Sequence, residues 1–334
     1  MRSIITSVAV VLSVLAPAQW LQAENVCVTV PDLASLVGTL GGPEFEVVTF
    51  AKGREDPHFV EAKPSFIKAL SKADLFVQVG LDLEVGWAPV LLQNARNRAV
   101  LPGGAGFIDA ASVAQAINVP TGLVDGPMGD VHLHGSPHYL LDPLNGWRVA
   151  GLLRDRFASQ KTEEAGKIHD RFKQFERRLA ERLVGEMLVT KYGPEKVLQT
   201  VDAGRIRELV VGDVPLGGWM AKMAPLRGAR VMVDHPMWGY FLKRFEMIES
   251  VSLEPKPGVE PTTKQLEMVI GKVKQEGIAL LLSSAYYDPR HANVVADQTG
   301  IRVVPMAHQV GARPGTDEYL QMIDYNVNVL TTPQ

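Results

Sequence analysis

Short apolar runs alternate with amphipathic helical stretches along most of the sequence, and this alternation restricts the possible folds more than any other feature. A β-branched run at residues 26–30 leads into a helical stretch after Pro31, with Asp32 as the predicted N-cap, and a second strand follows at 45–50. Strand, helix and strand at this spacing form a βαβ unit, which requires a parallel sheet. The first half of the chain is therefore predicted to fold as an α/β lobe.

The alternation continues through the first half and returns in the second. The first half is also predicted to contain a helix at 63–73, a strand at 75–79 and a helix at 87–96. In the second half, the predicted strands lie at 197–201, 230–234, 248–253, 278–283 and 301–305, and the predicted helices at 236–245, 263–276, 290–299 and 319–330. The second half is thus predicted to repeat the architecture of the first.

A helical zone separates the two halves, with one part at 147–157 and a second at 162–187. In the second part apolar residues recur every three or four positions and so share one face. They are Ile168, Phe172, Phe175, Leu179, Leu183 and Met187. The pattern alone fits a helix on the surface of one domain as well as a helix that connects two lobes.

Composition excludes several functional classes. Of the 334 residues, 46% are hydrophobic, and 34 Lys and Arg against 37 Asp and Glu give a net charge of −3. This composition is typical of a folded protein and excludes an intrinsically disordered chain. The chain also has no overall positive charge that would attract nucleic acid. The single cysteine, Cys27, excludes an internal disulfide and a zinc site of paired cysteines, and we predict that it is buried. Any bound metal would have histidine or carboxylate ligands.

The N-terminus has the pattern of a secretory signal peptide. Arg2 precedes an apolar stretch at 4–15, and the segment ends on the small residue Ala23. The apolar stretch is shorter than the roughly 20 residues that span a bilayer. We therefore predict that residues 1–23 are removed and that the protein is exported, most simply to the bacterial periplasm. An uncleaved anchor is the alternative.

Three of the eight histidines, His58, His138 and His235, lie in loops that follow a predicted strand or precede a predicted helix. Loops beyond the carboxyl ends of parallel strands converge where α/β proteins bind ligands. Several imidazoles that meet at about 2.0–2.1 Å from one ion form a zinc site. The residues alone support such a site and three solvated side chains about equally. The neighbouring carboxylates, which could orient the rings or cap turns, are Asp56, Asp142 and Asp234.

The residues around these histidines, together with other motifs, resemble those of the substrate-binding proteins of zinc and manganese ABC transporters, a group of periplasmic solute-binding proteins. The resemblance covers nearly all of the chain after residue 23, and its motifs occur in the order typical of that family. They are DPHFVEAKPS at 56–65, KADLF at 72–76, GLDLE at 80–84, SPHYLLDP at 136–143, GARVMVDHPMWGYF at 228–241, EPKPGVEP at 254–261 and GIRVV at 300–304.

The resemblance implies two parallel-sheet α/β lobes joined by a long rigid helix, with one metal ion in the cleft between the lobes. On this basis we divide the chain after the signal peptide into an N-terminal lobe at 24–160, a linker helix at 161–190 and a C-terminal lobe at 191–334. The resemblance also implies that His58 and His138 from the first lobe and His235 from the second are metal ligands.

The fourth ligand departs from the family pattern. Similar proteins use a carboxylate in the loop after the last strand, whereas His308 stands at about that place here. We predict His308 as the fourth ligand, and a water molecule, Asp288 or a loop histidine are the alternatives. His132 and His134 precede the second histidine motif, where similar zinc proteins carry a histidine-rich loop. They are interpreted as a weak second capture site or as part of a polar loop.

Three or four imidazoles with at most one carboxylate favour Zn²⁺, because Mn²⁺ prefers more oxygen ligands, although Ni²⁺ and Cu²⁺ also fit. Four protein ligands with no open position are typical of a carrier rather than a catalyst. We therefore predict a monomeric, non-enzymatic protein that delivers Zn²⁺ to an ABC permease in the inner membrane. The rival hypotheses are a manganese carrier, a secreted zinc hydrolase and a metal-independent adhesin. A hydrolase needs a general base near the metal, and the sequence has no His-Glu-x-x-His pattern.

Overall fold

The computed structural model describes residues 23–120, 132–212, 214–256 and 258–332. Residues 1–22 lie outside these ranges, so the signal peptide stays a prediction. Among the described helices, none combines the length and the apolar character needed to cross a membrane.

Two four-stranded parallel sheets form the centres of two lobes. The first contains β1 (Glu24–Val28), β2 (Phe45–Thr49), β3 (Leu75–Gln78) and β4 (Phe107–Asp109) in the order β2-β1-β3-β4. The second contains β5 (Arg230–Val233), β6 (Ile248–Ser252), β7 (Leu280–Ser283) and β8 (Arg302–Pro305) in the order β6-β5-β7-β8. The two orders are equivalent, which confirms the predicted repetition of architecture.

Helices cover these sheets and connect them, as expected for parallel strands. Those of the first half are α1 (Pro31–Gly41), α2 (Pro64–Leu70), α3 (Ala88–Ala95), α4 (Pro143–Gln160) and α5 (Ala165–Val184). Those that follow are α6 (Glu186–Tyr192), α7 (Pro194–Asp202), α8 (Gly218–Met223), α9 (Gly239–Arg244), α10 (Thr263–Glu276), α11 (Pro289–Thr299) and α12 (Tyr319–Thr331).

The central strand of the first sheet shows why these runs form strands. Val26, Cys27 and Val28 in β1 are almost completely buried on both faces of the sheet. Continuous β-branched runs are typical of parallel strands that are covered by helices on both sides. Burial raises the pKa of the Cys27 thiol to about 12. The prediction that Cys27 is buried is confirmed.

Helix α5 joins the two lobes. It packs against α1 and α4 from the first half and against α7 and α8 from the second. The apolar face predicted from the sequence is buried as far as Leu183, whereas Met187 is 57% exposed. The reason is Gly185, whose φ of +93° ends α5 before α6 begins. The long predicted helix is thus correct over 20 residues and broken near its end.

Three details of the sequence prediction are wrong. Residues 197–201 belong to helix α7, where Val197 and Val201 are buried one helical turn apart, rather than to a strand. Strand β4 was not predicted, because three residues are too few to show a periodic pattern. Asp32 does not cap α1: the N-cap is Val30, and the Asp32 carboxylate accepts a hydrogen bond from the Val310 amide at 3.3 Å.

The strand order of each lobe creates a crevice at the carboxyl ends of its central strands. The chain passes from β1 outward to β2 and then returns to the other side of β1 as β3, and β5 to β7 follow the same path. Ligands of open α/β sheets bind at such reversals of strand order. His235 comes two residues after the last residue of β5 and therefore lies at the crevice of the second lobe.

Candidate metal centre

His58 lies in the loop between β2 and α2, and its ring is fixed by a carboxylate. Asp56 Oδ1 lies 2.6 Å from His58 Nδ1 and also accepts a hydrogen bond from the His58 amide at 3.0 Å. The indole of Trp87 donates to the Pro57 carbonyl between them at 3.1 Å. Burial acts to raise the pKa of Asp56, but the hydrogen bonds from His58 and its positive charge act more strongly in the other direction. The pKa of Asp56 therefore lies below its ordinary value. A carboxylate on Nδ1 leaves Nε2 to bind a metal ion.

His138 lies at the entrance to α4. Pro143 begins this helix, and Asp142 caps it by accepting a hydrogen bond from the Leu144 amide at 3.0 Å. Burial and the nearby His58 and His235 lower the pKa of His138 well below its ordinary value, so the ring is neutral. Neutral imidazole is the form that binds metal ions.

His235 is fixed by two buried carboxylates. Its amide donates to Asp234 Oδ1 at 2.7 Å, and its Nδ1 lies 2.7 Å from Glu254 Oε2. The other oxygen of Asp234 accepts hydrogen bonds from the amide and hydroxyl of Ser284, at the end of β7. Burial disfavours the charged form of His235, but Glu254 and Asp234 outweigh it and the pKa of His235 is raised. As in His58, the ring presents Nε2 to the cleft.

These three rings meet. One ring nitrogen from each of His58, His138 and His235 lies within 4.8 Å of the others. The ring centroids are 5.1 Å apart for His58 and His138, and 5.9 Å apart for each pair that includes His235. Two of the rings come from the first lobe and one from the second, so the cluster spans the cleft between the lobes.

His132, which the sequence indicated as part of a weak second capture site or of a polar loop, also lies at this cluster. Its Nε2 is 3.2 Å from Nε2 of His58, and the two rings stack with their centroids 5.2 Å apart. Its ring centroid is 6.2 Å from that of His138. The nearby His134 is exposed and pairs through Nδ1 with Asp82 at 2.8 Å. The signals in the sequence were that His132 shortly precedes the second histidine motif and that similar zinc proteins carry a histidine-rich loop at this place.

His308 is buried beside the cluster but is not one of the three rings that meet there. Its Nε2 lies 3.2 Å from the Glu55 carbonyl oxygen, and its ring packs edge-on against Tyr286. Burial lowers the pKa of His308 to about 4. The adjacent Gln309 donates to the carbonyl oxygens of Lys52 and Glu55. In this arrangement His308 and Gln309 hold the loop that leads to His58, and a ligand role for His308 remains a prediction.

The remaining sequence candidates have other surroundings. Asp288 caps α11 and pairs with Arg290 at the surface. His169 is exposed on α5, and its Nδ1 lies 2.6 Å from the Ala165 carbonyl oxygen. His291 is only partly buried, in the first turn of α11.

Direct contacts hold the two lobes together around the cluster. Arg244 of α9 forms two parallel hydrogen bonds with Asp142, at 2.8 and 2.7 Å. Tyr240 of α9 donates to the Ser136 carbonyl at 3.0 Å, two residues before His138. On the other side, Gly53 approaches Gly311 so closely that a Cβ atom at position 53 would meet backbone atoms. These contacts tie the loops that carry His58 and His138 to the second lobe.

Comparison with known proteins agrees with this arrangement. The family model described as "Zinc-uptake complex component A periplasmic" matches residues 26–183 and 218–332. The chain is 21% identical over 258 residues to the high-affinity zinc uptake system protein ZnuA of Yersinia pestis. That alignment covers 74% of this chain and 70% of the Yersinia protein.

Solved structures show the same fold. A crystal structure of ZnuA superposes with a TM-score of 0.66 at 20% identity, over 92% of this chain and 98% of the other. FpvC of Pseudomonas aeruginosa in complex with Mn²⁺ gives 0.65 at 16% identity, over 93% and 97%. The laminin-binding protein of Streptococcus agalactiae, described as a bifunctional adhesin with metal transporting activity, gives 0.66 at 17% identity, over 92% and 98%.

Proposed function

The chain belongs to the family of the periplasmic component A of zinc-uptake complexes, which are metal-binding proteins of ABC transporters, and from this we propose that it captures one Zn²⁺ ion and delivers it to an ABC permease. The observation that carries the proposal is the meeting of His58, His138 and His235 across the cleft. Since the ligands come from both lobes, the bound ion would fix the lobes in one arrangement, and that arrangement is what the permease would recognise.

The choice of zinc follows from the chemistry of the cluster. Its three converging groups are all imidazoles, which suit Zn²⁺, whereas Mn²⁺ prefers oxygen ligands. The carboxylates of Asp56 and Glu254 are engaged by the Nδ1 atoms of His58 and His235. Manganese is the second candidate, because the similar FpvC structure contains Mn²⁺.

The same contacts favour a carrier over a zinc hydrolase. A hydrolase of this type needs a carboxylate or another base free to take a proton from a metal-bound water. Asp56 and Glu254 are instead hydrogen-bonded to ligand rings, and Asp234 is hydrogen-bonded to Ser284. These carboxylates orient the rings. An adhesin that works without metal would not need rings oriented in this way.

We further propose that the protein acts in the periplasm as a monomer after removal of residues 1–23. The proposed working form then consists of the lobes at 24–160 and 191–334 and the connecting segment at 161–190. The periplasmic location is supported by the family description and by the signal peptide pattern of the sequence.

Metal competition tests this proposal. Metal-free protein comprising residues 24–334 is mixed with equimolar Zn²⁺ and Mn²⁺, separated from free metal, and measured by elemental analysis. We expect about one Zn²⁺ and little Mn²⁺ per chain, loss of zinc in His235→Ala, and retention in the surface control His169→Ala. Retention of Mn²⁺ would favour the second candidate. Metal-dependent hydrolysis of ester or peptide substrates would overturn the carrier proposal.

A further inference from the structure

The contact between His58 and His132 has the dimensions of one edge of a zinc site. The two Nε2 atoms are 3.2 Å apart. In a tetrahedral site with Zn–N bonds of about 2.0–2.1 Å, neighbouring ligand nitrogens lie about 3.4 Å apart. The spacing of the two Nε2 atoms is therefore close to the spacing that a single bound ion would require.

The hydrogen bond at the opposite side of the His58 ring fixes the direction of the contact. Asp56 accepts from Nδ1 of His58, so the neutral tautomer of His58 that fits this contact carries its lone pair on Nε2. In that tautomer, His132 donates its own Nε2 proton to His58. When an ion takes the lone pair of His58, His132 can hold its proton on Nδ1 and present Nε2 to the same ion.

The segment that carries His132 is held in place from three sides. The Gly135 amide donates to the His132 carbonyl at 3.3 Å, which closes a tight turn. His134 within this turn pairs with Asp82, a residue with a φ of +67° in the turn after β3. The Ser136 amide donates to the Ile117 carbonyl at 2.9 Å. These contacts hold the residues that follow His132, and the ring of His132 itself stacks on that of His58.

His308 has a different environment. Its Nε2 faces the Glu55 carbonyl, and its ring packs against Tyr286 instead of stacking on a ring of the cluster. To bind an ion between the three converging histidines through Nε2, His308 would have to give up the contact with Glu55, whereas its buried Nδ1 has no hydrogen-bond partner among the described residues. His132 already contacts Nε2 of His58, and its ring would have to move closer to His138 and His235 to join the nitrogens that lie within 4.8 Å of one another.

We propose that His132 is the fourth protein ligand, so that the ion is bound by four imidazoles and no water. This inference rests on the proposed function, because it assumes that the cluster of His58, His138 and His235 binds a metal ion. Four nitrogen ligands would increase the preference for Zn²⁺ over Mn²⁺, since Mn²⁺ gains less from imidazole. His134 would act as a positioning residue through its contact with Asp82.

The test is zinc K-edge X-ray absorption on protein loaded with one equivalent of Zn²⁺, which counts bound imidazoles, together with zinc affinity. We expect four imidazoles in the parent and three in His132→Ala. The affinity of His132→Ala should fall by at least the roughly 10–100-fold that loss of an outer partner causes. His308→Ala, the rival, should keep four imidazoles. Thermal unfolding of the metal-free variants checks that each one is folded.

The outcomes separate this inference from the proposed function. If the parent retains zinc and His132→Ala leaves both the imidazole count and the affinity unchanged, His132 is not a ligand, although the carrier proposal stands. A drop to three imidazoles in His308→Ala would equally overturn the inference. If the parent binds no zinc at all, the proposed function itself fails.

Discussion

Nδ1 of His235 lies 2.7 Å from Oε2 of Glu254, and both side chains are buried. Glu254 belongs to the loop after β6, 19 residues further along the chain. It also accepts a hydrogen bond from the Gly258 amide at 3.1 Å, which holds the carboxylate in place. Because Nδ1 of His235 is held by Glu254, Nε2 of His235 is left to face the two first-lobe histidines, His58 and His138.

Replacing this carboxylate should weaken metal binding without removing a ligand. Glu254→Gln keeps the shape of the side chain but removes the charge that makes the His235 ring more basic. We expect zinc affinity to fall about 10–100-fold, as for other outer partners of metal-bound histidines. Competition with a coloured chelator measures the change. Glu260→Gln, an exposed carboxylate of the same loop, should bind zinc like the parent, and equal affinities of the two variants would refute the role of Glu254.

The ion pair between Asp142 and Arg244 should stabilise the contact between the lobes. Both side chains are largely buried, and Asp142 also caps α4. Asp142→Ala leaves the Arg244 charge buried without its main partner, which should cost about 3–5 kcal/mol in the free energy of unfolding. Chemical denaturation measures this loss.

The double variant Asp142→Ala with Arg244→Met serves as the control for this prediction. It removes the buried charge together with its partner, so it should be less destabilised than Asp142→Ala alone. If the two variants unfold at the same denaturant concentration, the pair does not act through charge.

Asp32 should make stability depend on pH. Burial raises its pKa from 3.8 to about 7, although hydrogen bonds from the amides of Val310 and Asp32 itself oppose this. Between about pH 4 and pH 7 the folded state therefore holds more protons than the unfolded state, and stability falls as pH rises through this range. Asp32→Asn can still accept a hydrogen bond from Val310 but carries no charge.

Denaturation of the parent and Asp32→Asn at pH 4 and pH 8 tests this dependence. Relative to the parent, the variant should gain stability between the two pH values. Glu84, whose pKa burial also raises to about 7, contributes equally to both proteins and cancels in the comparison. A stability difference that is the same at both pH values would show that Asp32 is not protonated in the folded state.

The close approach of Gly53 and Gly311 should not tolerate a side chain. A Cβ atom at position 53 would lie 2.6 Å from the Val310 carbonyl oxygen, so the backbone would have to move. Gly53→Ala should destabilise the protein by about 1–3 kcal/mol and lower zinc affinity, because the same loop carries His58. Gly38→Ala in α1, where nothing lies within 4 Å, should instead be neutral or stabilising. Unchanged thermal unfolding of Gly53→Ala would contradict the contact.

The sequence predicted the inner strands β1, β3, β5 and β7 well because they are largely buried and carry nearly continuous apolar runs. It failed at residues 197–201, where β-branched residues occupy one face of α7, and at Gly185, whose positive φ is set by local packing. The three converging histidines could be found because each lies in a loop next to a predicted element. The sequence indicated only a weak second capture site for His132, because its place beside His58 depends on contacts between distant residues such as His134 and Asp82, 52 residues apart.

The most direct test of a metal ion bound between the lobes is anomalous diffraction at the zinc edge from crystals of the zinc-loaded protein. We predict one strong anomalous peak per chain, with His58, His138 and His235 at about 2.0–2.1 Å from it. A peak bonded by residues of one lobe only, or no ordered peak at zinc saturation, would contradict the proposal that this chain carries zinc in its cleft.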